Sequence, residues 1–144
     1  MNQTAKEIIQ KLQLQPHPEG GWYKETYRHN SDDGGRGDQT AIFFLLEEGQ
    51  SSHWHRIDAV EMWHWYAGSP LVLKSHSGEQ EQVVTLGPDV LAGQTPQFVI
   101  PKGYWQAAIA ENGWALVGCT VAPAFEFEGF ELAAPGWAPG DSSC

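Results

Sequence analysis

The sequence predicts an all-β fold, a sandwich or barrel with one short helix at its front. Three observations carry this. Roughly ten short apolar or alternating runs recur along the chain, each bounded by Gly, Pro, Asn or Asp. Only residues 3–14 follow a helical period. The 144 residues, read as one domain over 1–144, suffice for a core without staples. Such a fold encloses a cavity lined by every second residue of its strands.

Residues 1–16 form the helical segment. Ile8, Ile9 and Leu12 recur at helical spacing, Thr4 stands at a cap position with Glu7 three residues on, and Pro16 and Pro18 stop the helix. The turn His17-Pro18-Glu19-Gly20-Gly21 leads into a strand over Trp22–Arg28. A polar, Gly-rich loop follows. Its Arg36-Gly37-Asp38 matches the cell-adhesion tripeptide, which we read as chance. Thr40–Leu46 is a buried strand by its continuous apolar run. Gly49–Gly68 reads as two strands joined at Ile57-Asp58-Ala59. Further strands span 70–75, 82–86, 97–100, 104–109 and 114–121, with Glu111-Asn112-Gly113 a hairpin signal. A last strand lies near Phe125–Phe127. Residues 133–144 read as a loose C-terminal tail rich in Pro, Gly and Ser.

Composition narrows the partners. The net charge of −10 excludes nucleic acid and anionic membrane surfaces, which repel such a chain. No run reaches transmembrane length, and no signal-peptide core is evident. Two cysteines, Cys119 in an apolar run and Cys144 at the end, make no disulfide framework. This predicts a reducing, cytoplasmic setting.

Chemistry concentrates in the Gly49–Gly68 stretch. His53 and His55 lie two apart, so an extended strand points both rings to one face. Their Cα atoms would stand roughly 6.5 Å apart. If the chain doubles back at Asp58, Glu61 returns to that face. Two imidazoles and a carboxylate form a ligand set of non-haem iron and catalytic zinc sites. Glu61, Trp63 and Trp65 share one parity and would line one cavity, where indoles suit a sugar ring. Tyr104 and Gln106 share a face on their own strand. His64 faces the other way and suits a subunit interface; His29 and His76 read as solvated. Glu19 and His17 lie in a turn where polar residues could meet a ligand at a barrel mouth.

These residues also carry a family likeness. The spacing of Gly49, His53, His55, Glu61 and Gly68 resembles the first signature of the cupin superfamily. Gly93, Pro101 and Gly103 fit part of the second, with Gln106 where metal-binding cupins place a third histidine. Residues 17–28, 55–68, 86–108 and 125–132 resemble a bacterial and fungal cupin group often labelled predicted sugar epimerase. Its jelly roll is similar to that of deoxysugar-nucleotide epimerases. The resemblance implies a cupin jelly roll, a homodimer and a pocket inside the barrel. Sugar epimerases use a histidine supported by a carboxylate, with a tyrosine across the pocket. Here His55 with Glu61 would form the first half, and Tyr104 or Tyr23 the second.

Three functional readings follow from this. In the leading one the protein binds a small polar, sugar-like molecule and isomerises or epimerises it, without a metal. His55, Glu61 and Tyr104 are then catalytic, and Trp63, Trp65, Gln106, His53 and Glu19 meet the ligand. In the second it is a metal-dependent, dioxygenase-like cupin, with His53, His55, Glu61 and Gln106 around Fe, Mn, Zn or Ni. In the third it is a non-catalytic ligand-binding module. The pocket strands carry no clear cluster of Arg or Lys, which argues against a nucleotide-sugar ligand.

Overall fold

The structure, a computed structural model, describes residues 3–140. Among these residues are one α-helix, α1 (Gln3–Leu12), and eleven strands. The strands are β1 (Gln15–Pro16), β2 (Trp22–Arg28), β3 (Thr40–Leu46), β4 (Ser51–Ile57), β5 (Val60–Gly68) and β6 (Leu71–His76). Then come β7 (Glu81–Leu86), β8 (Gln97–Ile100), β9 (Trp105–Ile109), β10 (Ala115–Ala122) and β11 (Phe130–Leu132). They form two antiparallel sheets, one in the order β1-β2-β3-β10-β5-β8 and the other β11-β4-β9-β6-β7. The fold is a jelly roll.

Alternation decides what lies between the sheets. Phe44, Leu46, Trp63, Ile100 and Val117 point inward from the six-stranded sheet. Leu71, Leu73, Leu86 and Ala108 meet them from the other, forming one buried cluster. Each large side chain contributes about 1.5–3 kcal/mol by leaving water. This cluster fills one end of the sandwich. Toward the other end the inward positions are Thr40, Ile42, Glu61, Cys119 and Val121, polar or smaller than the core aromatics. Register aligns them, since Val121 pairs with Thr40 and Glu61, and Cys119 with Ile42 and Trp63. The cavity described below opens there.

The helix covers the outer face of the six-stranded sheet. Ala5, Ile8, Ile9 and Leu12 pack with Leu14, Trp22, Phe43 and Leu116 over Leu45, an outward residue that is fully buried for this reason. The helix stops before the prolines that the sequence suggested. Gln13 takes φ 59°, Gln13 N–H donates to Gln10 O, and Leu14 N–H returns to Ile9 O at 2.9 Å. This is a left-handed C-terminal cap. Strand β2 does not pack outside the barrel. It pairs with β3 and extends the sheet.

The chain end also departs from the sequence reading. No strand forms at Phe125–Phe127, because side chains satisfy that backbone instead. Phe125 N–H donates to Thr40 Oγ1 at 3.0 Å, and Arg28 Nη2 donates to Phe125 O at 2.9 Å. The strand comes later, as β11, after a 3-10 turn at Phe127–Gly129. Ala133 N–H donates to Trp54 O, and Ala133, Trp137 and Ala138 pack with Trp54, Trp105 and Ala107. That part of the presumed loose tail is therefore docked on the five-stranded sheet. The rest of the tail reading, residues 141–144 with Cys144, lies outside the described residues, as do residues 1–2 of the helical segment. His76 is buried rather than solvated, its Nδ1 accepting Gly78 N–H at 2.9 Å. Arg36 is engaged with Asp58 and with Ala124 O. Among the described residues no helix is long and apolar enough to cross a membrane.

Candidate functional site

The site begins with a break in a β ladder. Ser52 on β4 pairs with Ala108 on β9, and the next pair is His55 with Gln106. The β4 strand therefore carries an extra residue here, a β-bulge. The turn from His17 to Gly21 fills the opening: His53 N–H donates to Glu19 O at 2.8 Å. Three bonds fix the turn internally. His17 N–H donates to Gly21 O, Gly20 N–H to His17 O, and Glu19 N–H to His17 Nδ1 at 3.1 Å. Gly20 has φ 106°, and a Cβ there would stand 2.3 Å from Ser51 O, so the turn sits directly on β4.

The bulge undoes the expectation that His53 and His55 share a face. The His53 ring lies outside the cavity wall, with Nε2 2.9 Å from Ala134 O. His55 turns inward and is almost fully buried. Its Nδ1–H donates to His53 O at 2.8 Å, and its Nε2 lies 2.7 Å from Glu19 Oε2. The carboxylate that touches His55 is thus Glu19, from the turn, and Glu61 completes the group from β5.

The charges follow from these contacts. Burial alone would push His55 toward the neutral form; the adjacent Glu19 carboxylate overrides it and raises the pKa to about 9. Burial likewise opposes the Glu19 charge, but His55 outweighs it and holds Glu19 below the usual carboxylate range. At neutral pH the two form an ion pair. Glu61 behaves differently. Burial pushes it up to about 7, the Glu19 charge adds to the rise, and His55 opposes it. It accepts Gln106 Nε2–H at 2.8 Å and a bond from the Cys119 thiol. Burial and the facing carboxylates keep that thiol protonated.

The cavity these groups face encloses about 250 Å³. Its wall includes His17, Glu19, Tyr23, His55, Glu61 and Cys119, with Phe125, Phe127 and Phe130 from the chain end, and no lysine or arginine. Four more residues expected in it are elsewhere. Trp63 is core, donating its indole N–H to Gln106 Oε1 at 2.7 Å. Trp65 packs on the same cluster and donates to Ser69 O. Tyr104 packs against that cluster and does not line the cavity; Tyr23 does. Gln106 stands behind Glu61 and orients it, without lining the cavity.

The donors do not fit the expected metal set. His53 is turned away, His55 Nε2 faces Glu19, and the Gln106 oxygen accepts the Trp63 indole. Among the described residues no group of three or more His, Cys, Asp or Glu could hold a metal ion.

Several cavity residues escaped the sequence reading. The phenylalanines alternate in Phe125-Glu126-Phe127, a strand-like pattern that supplies aromatic cover instead. Cys119 shares parity with Val117 and Val121 on β10 and points inward with them, and its apolar run gives no sign that it borders a cavity.

Comparison with known proteins agrees with this architecture. Residues 6–133 match the family described as Cupin superfamily (DUF985). A protein of Shewanella oneidensis of solved structure is 41% identical, with a TM-score of 0.85 over 90% of this chain and 84% of that one. A hypothetical protein from Leishmania major is 31% identical, with a TM-score of 0.82 over 90% of this chain and 87% of that one. One domain-sized part of oxalate decarboxylase from Bacillus subtilis superposes with a TM-score of 0.63 at 12% identity. The match covers 81% of this chain and 29% of that one, a likeness of fold alone. No curated protein matches the sequence. Family match, fold and close structural relatives agree: the chain belongs to the cupin superfamily, in the family described as DUF985.

Proposed function

We propose that the protein binds a small, neutral, sugar-like molecule in the cavity and isomerises or epimerises it by acid–base chemistry. The observation that carries this reading is the buried Glu19–His55–Glu61 cluster, set in a cavity wall without lysine or arginine. A nucleoside diphosphate would find no counter-charge there. The volume of about 250 Å³ lies below the ~300–1,000 Å³ usual for drug-sized ligands, which suits one sugar ring. Phe125, Phe127 and Phe130 offer it apolar faces.

Each group then has a role. Glu61 has a pKa of about 7, near the ideal for a base that must also return its proton. Its carboxylate takes the proton from the carbon beside the ligand's carbonyl. The C–H electron pair moves into a new C=C bond as the carbonyl pair shifts to oxygen. His55, held charged by Glu19, stabilises that enediolate electrostatically. Return of the proton by Glu61 to the former carbonyl carbon, with the hydroxyl proton of the first carbon passing to the former carbonyl oxygen and leaving a new C=O behind, gives isomerisation. Delivery by the Tyr23 phenol from another side gives epimerisation, and the phenolate recovers the proton held by Glu61. The sugar-epimerase likeness of the sequence supports the same chemistry.

The test is incorporation of solvent deuterium into a panel of neutral aldoses and ketoses. The wild type should label the carbon beside the carbonyl, and Glu61→Gln should label it at least about 100-fold more slowly. Equal rates in the two proteins contradict the reading. We also read the chain as a cytoplasmic homodimer. Val60, Tyr66 and Val99 stand exposed on the part of the six-stranded sheet that α1 leaves open, which supports an interface. The free, buried Cys119 accords with a reducing compartment. A monomeric mass by light scattering would overturn the dimer.

A further inference from the structure

We propose that His17 is the donor that holds a ligand oxygen in this cavity, through the Nε2–H of a neutral imidazole. The inference rests on the reading that the cavity takes a neutral ligand bearing a carbonyl.

Three observations point to this donor. The first is the tautomer. Nδ1 of His17 accepts the backbone N–H of Glu19 at 3.1 Å. A nitrogen that accepts carries no proton, so the neutral ring holds its proton on Nε2. Burial favours the neutral form; Glu19 opposes it, and the charge on His55 reinforces it.

The second is rigidity. The ring lies edge-on to Tyr23, Phe44 and Phe130, with centroids 4.5, 5.9 and 6.1 Å away. Its backbone is fixed by the turn bonds at His17 N–H and O. A donor held this way loses little freedom when a ligand arrives.

The third is availability. His55 spends Nδ1–H on His53 O and presents Nε2 to Glu19. The Gln106 amide donates to Glu61. Nε2 of His17, in the same wall, has no hydrogen-bond partner among the described residues. A neutral N–H that shares the cavity with the Glu61 base can polarise a carbonyl oxygen without giving up its proton, a division of labour suited to enolisation.

Nitrogen-15 NMR of the imidazoles tests this, with D-fructose and D-mannose as probes. His17 should be neutral and protonated on Nε2 at pH 7, and its Nε2 resonance should move when a probe is added. His17→Phe keeps the ring packing and should weaken probe binding about tenfold, the effect of one lost hydrogen bond. His17→Gln, which places an amide N–H near the Nε2 position, should recover most of it. A proton on Nδ1 at pH 7, as in an ion pair with Glu19 Oε1 at 3.6 Å, overturns the inference. So does a His17 signal that neither probe moves, or undiminished binding by His17→Phe. The two readings fail separately: probes that shift His17 but acquire no deuterium count against the isomerase alone.

Discussion

Nε2 of His55 lies 2.7 Å from Oε2 of Glu19, and this contact joins two segments distant in sequence. Glu19 belongs to the glycine-rich turn between β1 and β2 of the six-stranded sheet, and His55 to β4 of the five-stranded sheet. The turn reaches His55 because β4 parts from β9 at the bulge and offers His53 N–H to the Glu19 carbonyl. Position and charge of the imidazole thus depend on one inserted turn.

Gly20 should tolerate no side chain. Its φ of 106° and the 2.3 Å separation between a built Cβ and Ser51 O combine backbone strain with a clash against main chain. Gly20→Ala should cost at least about 1–3 kcal/mol from the backbone term alone. Urea denaturation reads the loss, and a surface control such as Gly78→Ala, with a left-handed φ but open space around it, should cost less.

Gln106 bridges two buried groups, accepting from Trp63 and donating to Glu61. Gln106→Leu keeps the approximate volume but strands both partners. Each orphaned group costs about 1–3 kcal/mol, so denaturation should show a loss of that order or more. The Glu61 carboxyl should also rise further, since the amide N–H favours its charged form. Carbon-13 NMR titration of the glutamate carboxyls measures that rise.

Stability should fall as pH rises from mildly acidic to alkaline. Glu61 has a folded pKa of about 7 against an ordinary value of 4.5, so the fold holds its proton more tightly than the unfolded chain. That contribution is full below pH 4.5 and is lost as pH rises through 7. His55, at about 9 against 6.5, adds a second contribution that is full below 6.5 and lost as pH rises through 9. Glu19, held low, acts oppositely: its contribution is lost as pH falls through its folded pKa. Glu61→Gln should flatten the melting-temperature profile between pH 4.5 and 7 and leave the slope toward pH 9. A mutant profile parallel to the wild type would count against the raised carboxyl.

Strand positions were legible because alternation and turn residues are local. Trp22–Arg28 and Thr40–Leu46 stand where their patterns place them, and the inward parity of Glu61, Trp63 and Trp65 holds along β5. The site was legible only in part. The period-two rule fails at His53 because β4 bulges where its backbone bonds a distant turn, which strand periodicity cannot register. Parity also shows only which face a residue occupies. Trp63 and Glu61 share one, yet Trp63 lies deeper in the core while Glu61 borders the cavity. The phenylalanine cover escaped notice because its backbone is satisfied by Thr40 and Arg28, partners no local pattern specifies.

The most direct test of the account is the protonation of His55, followed by nitrogen-15 NMR from pH 5 to 10 in the wild type and in Glu19→Gln. The wild-type imidazole should remain charged at pH 8 and titrate near pH 9. In Glu19→Gln burial is no longer offset by the touching carboxylate, and the ring should be neutral by pH 8. A His55 that titrates near 6.5 in both proteins contradicts the buried ion pair and the acid–base cavity built on it.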